Sequence, residues 1–169
     1  MKTFFFFLSL FLFLPPAAIA ETNGYTPLIK AVTDKDTSPY AIESLIIKGG
    51  KVNETDDQGR SVLMLAVTHH PSVLIPFLLI SNGAQVNYKK PDTGQTALFY
   101  AVQYSTNPEI VAALLNYGAD PNIKDVFGRT AYDYAERNPK MKGSSVLWLF
   151  PQYQREEKPE ASSASAASR

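Results

Sequence analysis

The chain opens on an almost unbroken apolar run, Phe4 to Leu14, in which Ser9 is the single polar member. Lys2 precedes the run, Pro15 and Pro16 end it, and Ala18-Ile19-Ala20 supplies a small-x-small sequence. A positive start, a short apolar segment and a small-residue site form the pattern of a secretory leader. The run is 11 residues long, whereas a helix crossing a bilayer needs about 20. Residues 1–20 are therefore expected to be a signal peptide cleaved after Ala20, with Glu21 beginning the mature chain. Beyond it the pattern changes to short amphipathic stretches. Ile42, Leu45 and Ile46, and later Val111, Leu114 and Leu115, fall at helical spacing. Gly49, Gly83 and Gly118 follow as helix stops, and Pro39 and Pro108 stand where a first helical turn accepts proline. The most hydrophobic remaining stretch, Val73 to Ile80, carries Pro76 early in its helix. After Pro151 the apolar pattern ceases. Residues 154–169 are charged, then rich in Ser and Ala, and are expected to be a disordered tail.

These stretches recur with a period. Gly24, Gly59, Gly94 and Gly128 are 35, 35 and 34 residues apart. Two positions after each glycine comes Thr26, Ser61, Thr96 or Thr130, and seven positions after it Ala31, Ala66, Ala101 or Ala135. Asn53 and Asn87 each close a segment that begins at a helix stop, as Asn122 does in Gly118-Ala119-Asp120-Pro121-Asn122. A hydroxyl side chain at that point can cap the free N–H groups of a short helix, and a small alanine lets neighbouring helices approach closely.

Gly24-Tyr25-Thr26-Pro27-Leu28 and Gly94-Gln95-Thr96-Ala97-Leu98 resemble the repeat opening of the ankyrin family, and Gly118-Ala119-Asp120-Pro121-Asn122 resembles its close. The resemblance runs from about Thr22 to Phe150 and implies an all-α repeat solenoid of about four helix–turn–helix units joined by β-hairpin fingers. The domain is placed at 21–153, with repeats at about 22–53, 56–87, 91–122 and 125–150. The last unit is degenerate and reads as a cap closed by an apolar helix from Ser144 to Phe150. Where the family usually has histidine after its opening, tying adjacent repeats together, this chain has Ile29, Met64, Phe99 and Asp133. The stack is thus expected to rely more on apolar packing.

Composition narrows the function. The 169 residues hold 16 basic and 16 acidic side chains and no cysteine. Near-neutral charge offers no electrostatic case for nucleic acid. Without cysteine there is neither a disulfide framework nor a lipid-bearing residue at the cleavage site, so the mature chain is expected to be free of the membrane and held together by packing. Asn53-Glu54-Thr55 fits a glycosylation sequon, but Asn53 falls in a structural turn, which points to a bacterial periplasm rather than a eukaryotic secretory route. No phosphate-binding loop, zinc-protease spacing or nucleophile elbow is present. His69 and His70 read as a helix end or loop facing solvent, and Tyr100, Tyr132 and Tyr134 as packing residues. No catalytic residue, metal or cofactor is expected.

The ankyrin resemblance implies a non-catalytic module that binds another protein on its concave face, through finger tips and the exposed ends of the first helices. Carried over by position, the candidates are Asp57, Gln58 and Arg60, then Tyr88 and Lys89, then Val126, Phe127 and Arg129, with His69, Gln103, Tyr104 and Arg137 at helix ends. Tyr88, Tyr104 and Phe127 are large aromatics at places the fold is not expected to need them. Charges sort along the chain: Asp34, Asp36, Asp56 and Asp57 early, Lys89, Lys90, Lys124, Arg129 and Arg137 late. The free chain is expected to be monomeric, periplasmic or secreted. Its role is read as binding an exported protein, as an inhibitor or immunity protein neutralising an exported toxin or lipase, or as an effector acting on a host.

Overall fold

The computed structural model describes residues 25–142 and 144–151. The leader at 1–20, Gly24 and the tail at 154–169 lie outside the described residues. The helices are α1 Pro27–Thr33, α2 Pro39–Ile47, α3 Val62–His69, α4 Leu74–Ser81, α5 Ala97–Tyr104, α6 Pro108–Asn116 and α7 Ala131–Ala135, followed by a 3-10 helix, Ser145–Leu149. They pack as two rows. Helices α1, α3, α5 and α7 stack side by side in one row; α2, α4, α6 and the 3-10 helix stack in the other.

The alanine expected at each close approach is buried: Ala66, Ala101 and Ala135 are inaccessible and Ala31 nearly so. Helix α3 sits between α1 and α5 with α4 behind it. Every residue from Val62 to Val67 is accordingly buried, as a helix apolar on all sides must be. Ile29, Met64 and Phe99, which replace the family's histidine, are all core residues.

Local polar groups set the register. The Thr26 hydroxyl accepts from the Ile29 amide at 3.2 Å, and the Ser61 hydroxyl from the Met64 amide at 3.3 Å. The expectation fails at Thr96, which makes no cap and whose buried Oγ1 has no hydrogen-bond partner among the described residues. Thr130 forms a capping box with Asp133, whose carboxylate accepts from both the Thr130 amide and hydroxyl, at 2.6 and 2.9 Å. Gly83 and Gly118 stop their helices at φ 89° and 88°, where a side chain would be strained.

Adjacent repeats are tied by asparagine. Asn53 donates to the Gly83 carbonyl at 2.9 Å and accepts from the Gln85 amide at 2.8 Å. Asn87 repeats both bonds one unit later, to Gly118 and Asp120, each at 2.9 Å. At the opposite edge Asn107 donates to Pro71 and Asn138 to Val102, at 2.9 and 2.6 Å. Each asparagine side chain thereby pairs backbone groups of the neighbouring repeat, most of them just past the end of a helix.

Three details differ from the sequence expectation. The closing apolar segment is a 3-10 turn, Ser145–Leu149, shorter than the helix expected from Ser144 to Phe150. The fingers are tight turns, and the β-pairing among the described residues is a single bridge, Thr55 with Ser61. Finally, His70 is buried at 3% exposure, while His69 at the end of α3 faces solvent. The His70 ring lies by the end of α1, beside Ala31 and Val32.

Candidate functional site

Three fingers precede α3, α5 and α7, and the first and last are built on the same pattern. In Asp56-Asp57-Gln58-Gly59-Arg60, buried Asp56 folds the turn around its carboxylate. Its Oδ1 accepts from the Gln58 and Arg60 amides at 3.0 and 2.8 Å, and its Oδ2 accepts from Arg60 Nε at 2.6 Å. In Asp125-Val126-Phe127-Gly128-Arg129, Asp125 Oδ1 accepts from the Phe127 and Arg129 amides, both at 2.9 Å. Here Oδ2 is occupied by the Tyr134 hydroxyl, which donates at 2.6 Å. Burial pushes the Asp125 carboxyl up, but the bonds from Tyr134 and from the Arg129 and Phe127 amides outweigh it and hold it below the ordinary value. The same hydrogen bond raises the Tyr134 phenol, which therefore stays a donor. The middle finger differs. Lys90 stands where the aspartate would, the turn is one residue longer, and the buried Lys90 amine pairs with the Asp92 carboxylate.

These bonds decide which side chains face solvent. The Val126 amide donates to the Thr93 carbonyl at 2.9 Å, and the Phe127 amide to Asp125. With both amides turned inward, the side chains project outward, 60% and 71% exposed. The Arg129 guanidinium lies 5.6 Å from the Phe127 ring centroid and 5.9 Å from that of Tyr134. Tyr134 is itself set edge-on against core Phe99 at 5.7 Å. The last finger thus presents an apolar tip and a cation on an aromatic support.

The other sequence candidates are placed as follows. Gln58, Lys89 and Arg137 are exposed. Asp57 is exposed and accepts a hydrogen bond from Tyr25 at 3.3 Å. Arg60 is half-buried in its pair with Asp56. Partial burial, then the Arg60 and His70 charges, hold His69 below the ordinary imidazole value. Gln103 turns its amide onto the Phe99 carbonyl of its own helix at 3.1 Å. Tyr104 is 54% exposed and stacks on Tyr100 at 5.6 Å. Tyr88 corrects an expectation: it packs against the core and donates its hydroxyl to the Gly59 carbonyl at 3.3 Å, so the fold does use it. Among the described residues no ring contact joins Tyr88 or Tyr104 to Phe127. The charge pattern is also revised, because Asp56 and Lys90 are buried in ion pairs. Asp34, Asp36 and Asp57 remain exposed early, and Lys89, Lys124, Arg129 and Arg137 late.

A second apolar surface lies on the row of α2, α4 and α6, called the outer row below, and escaped the sequence reading. Leu74, Phe77, Ala112 and Tyr117 line a trough of about 540 Å³ between α4 and α6, with the Phe77 and Tyr117 rings 5.6 Å apart. Its signal was the apolar excess of Val73 to Ile80. Helix α4 buries only Ile75, Pro76 and Leu79 fully, so other apolar positions remain for the surface. Among the described residues no three metal-ligating side chains converge, and no helix is long and apolar enough to cross a membrane.

A family model described as "Ankyrin repeats (3 copies)" matches residues 31–125 and 74–154. A putative ankyrin repeat protein of Acanthamoeba polyphaga mimivirus is 33% identical over 137 residues, covering 78% of this chain and 33% of that protein. A regulatory protein of Arabidopsis thaliana is 34% identical over 98 residues, 58% of this chain and 20% of its own length. An ARF GTPase-activating protein of Homo sapiens is 38% identical over 87 residues, 48% of this chain and 11% of that protein. The chain spans a third or less of these relatives. Two rows of stacked helices, three fingers each turning on a glycine of positive φ, and family matches across most of the sequence agree: the chain belongs to the ankyrin-repeat family, whose repeats generally serve as protein–protein interaction modules.

Proposed function

We propose that this chain is a non-catalytic binding module that engages another protein through its fingers and the exposed ends of the first-row helices. The observation that carries this reading is the last finger. Val126 and Phe127 are exposed on a turn whose backbone amides, from Asp125 to Arg129, all donate hydrogen bonds, so the apolar tip is held in place before any partner arrives. Preorganised aromatic and arginine side chains are the usual anchors of protein interfaces.

The proposed setting is outside the cytoplasm. The support is the apolar run from Phe4 to Leu14, followed by Ala18-Ile19-Ala20, which has the layout of a cleavable leader. The partner would then be an exported protein, which this module protects, organises or inhibits. Export is tested by sequencing the N-terminus of the protein recovered from its host: Glu21 supports the reading, and an intact Met1 form held in the membrane as the main species refutes it. Binding is tested by capturing partners from the same compartment with the purified chain and with a Phe127→Ala, Tyr104→Ala double variant. A partner retained by the first and lost by the second supports the finger surface. A partner retained equally by both places the contact elsewhere.

A further inference from the structure

The sequence Asp-x-x-Gly-Arg occurs at 56–60 and again at 125–129, yet the two arginines are in different states. Arg60 donates to Asp56 Oδ2 at 2.6 Å. Arg129 does not pair with Asp125, because Tyr134 occupies the corresponding oxygen at 2.6 Å. The position matching Tyr134 in the earlier repeat is Leu65, a buried residue with no donor. One side chain therefore releases Arg129 from the finger. Among the described residues the ion pairs are Arg60–Asp56 and Lys90–Asp92, so Arg129 has no carboxylate partner.

Its surroundings suit a ligand from outside. The guanidinium lies near the Phe127 and Tyr134 rings, which support a cation; it reaches the Tyr134 hydroxyl with one donor, and the rest of its planar fork is left for a ligand. The acids of this repeat are already engaged: Asp125 with Tyr134, Asp133 with Thr130, and Glu136 with the Tyr132 hydroxyl at 3.0 Å. Lys124 and Arg137 are exposed in the same repeat and add to the positive field. An unpaired guanidinium is matched by a carboxylate, which can take two parallel hydrogen bonds from it.

We propose that Arg129 is the receptor for an aspartate or glutamate carboxylate on an extended acidic segment of the partner, and that Phe127 and Val126 cover an apolar side chain next to that acid. The proposal rests on the binding reading above and names the chemistry of its partner. Charge complementarity carries the choice. The basic residues of the last repeat form no ion pair among the described residues, and the apolar tip lies directly beside the Arg129 cation.

The test uses the full chain and four fluorescent pools of short peptides, each containing Leu and Phe, whose polar positions are Asp/Glu, Asn/Gln, Lys or phosphoserine. The acidic pool is expected to bind most tightly, by about tenfold or more over the isosteric Asn/Gln pool. Arg129→Gln should remove that preference and Lys48→Gln, at an exposed cation after α2 and away from the fingers, should leave it, with thermal melting confirming that both variants fold. Arg129→Lys, which keeps the charge without the planar fork, should restore only part of the preference and serves as the second variant if Arg129→Gln melts early. Equal binding of acidic and neutral pools, preference for phosphoserine, a preference that survives Arg129→Gln, or no binding of any pool overturns the proposal. The broader reading is separable. If the neutral apolar pool binds and Phe127→Ala weakens it, the finger binds protein without a carboxylate. If a captured partner is insensitive to Phe127→Ala, the finger reading itself fails.

Discussion

Tyr134 donates its hydroxyl to Oδ2 of Asp125 at 2.6 Å, taking the oxygen whose counterpart on Asp56 holds Arg60 at the same distance. One phenol therefore separates a self-contained finger from one with a free cation. In Tyr134→Phe the ring remains and the donor is lost, so Arg129 can turn to Asp125 as Arg60 does to Asp56. Stability is expected to fall by about 1 kcal/mol, since the new pair replaces part of the lost bond. Partner affinity should fall several-fold. Denaturant unfolding and a binding titration on the same variant check both.

The asparagine ladder should carry inter-repeat stability. Asn87 donates to Gly118 and accepts from the Asp120 amide, both at 2.9 Å. Asn87→Ala leaves the Gly118 carbonyl and the Asp120 amide without their partner and should cost about 1–2 kcal/mol, with water recovering some of it at this exposed edge. Asn53→Ala should behave alike. Urea midpoints read the effect, and an unchanged midpoint in both variants would show that the ladder follows from packing rather than setting it.

The helix interface at Ala101 has no room for a larger group. Ala101 is inaccessible on α5, which packs against α3 on one side and α7 on the other. Ala101→Leu should overpack this contact and cost roughly 1–3 kcal/mol, measured by thermal or denaturant unfolding.

His70 predicts a pH dependence. Burial pushes its pKa down, against the Ala31 and Val32 carbonyls and the Asp34 charge, which raise it. The folded value thus lies below the unfolded value of about 6.5, and the unfolded chain binds more protons between the two. Stability should be full above the unfolded value and be lost as pH falls through the folded one. The melting temperature of the natural chain should drop between about pH 7.5 and pH 5.5, and that of His70→Gln should drop less. Parallel curves would mean that His70 does not titrate in this window.

The regular parts of the fold were legible because they repeat. The glycine period located the fingers, and the alanine seven residues on located the helix contacts. Exceptions were hidden where one side chain replaced another's job. Asp133 forms a capping box with Thr130 from a position that the family resemblance assigns to histidine, and the Lys90–Asp92 pair holds a finger where the other two use aspartate. Tyr134 lies nine positions beyond Asp125, so nothing in the local pattern predicts which oxygen it takes. His70 read as solvent-facing because its burial comes from α1, a helix far away in sequence. At the candidate site the exposed Val126 and Phe127 were foreseen, whereas the structural role of Tyr88 and the trough lined by Phe77 and Tyr117 emerged only from the packing.

The central claim is that the last finger is a preformed binding tip. The most direct measurement is the affinity of a captured partner for the natural chain and for Phe127→Ala, with thermal melting on the same samples and Phe77→Ala as an outer-row control. Phe127 is 71% exposed, and its backbone bonds do not depend on its side chain. Phe127→Ala is therefore expected to weaken binding by about 2 kcal/mol or more, as removal of an interface anchor does, with the melting temperature nearly unchanged. Unaltered affinity in Phe127→Ala together with a loss in Phe77→Ala would contradict the account and move the interface to the trough between α4 and α6.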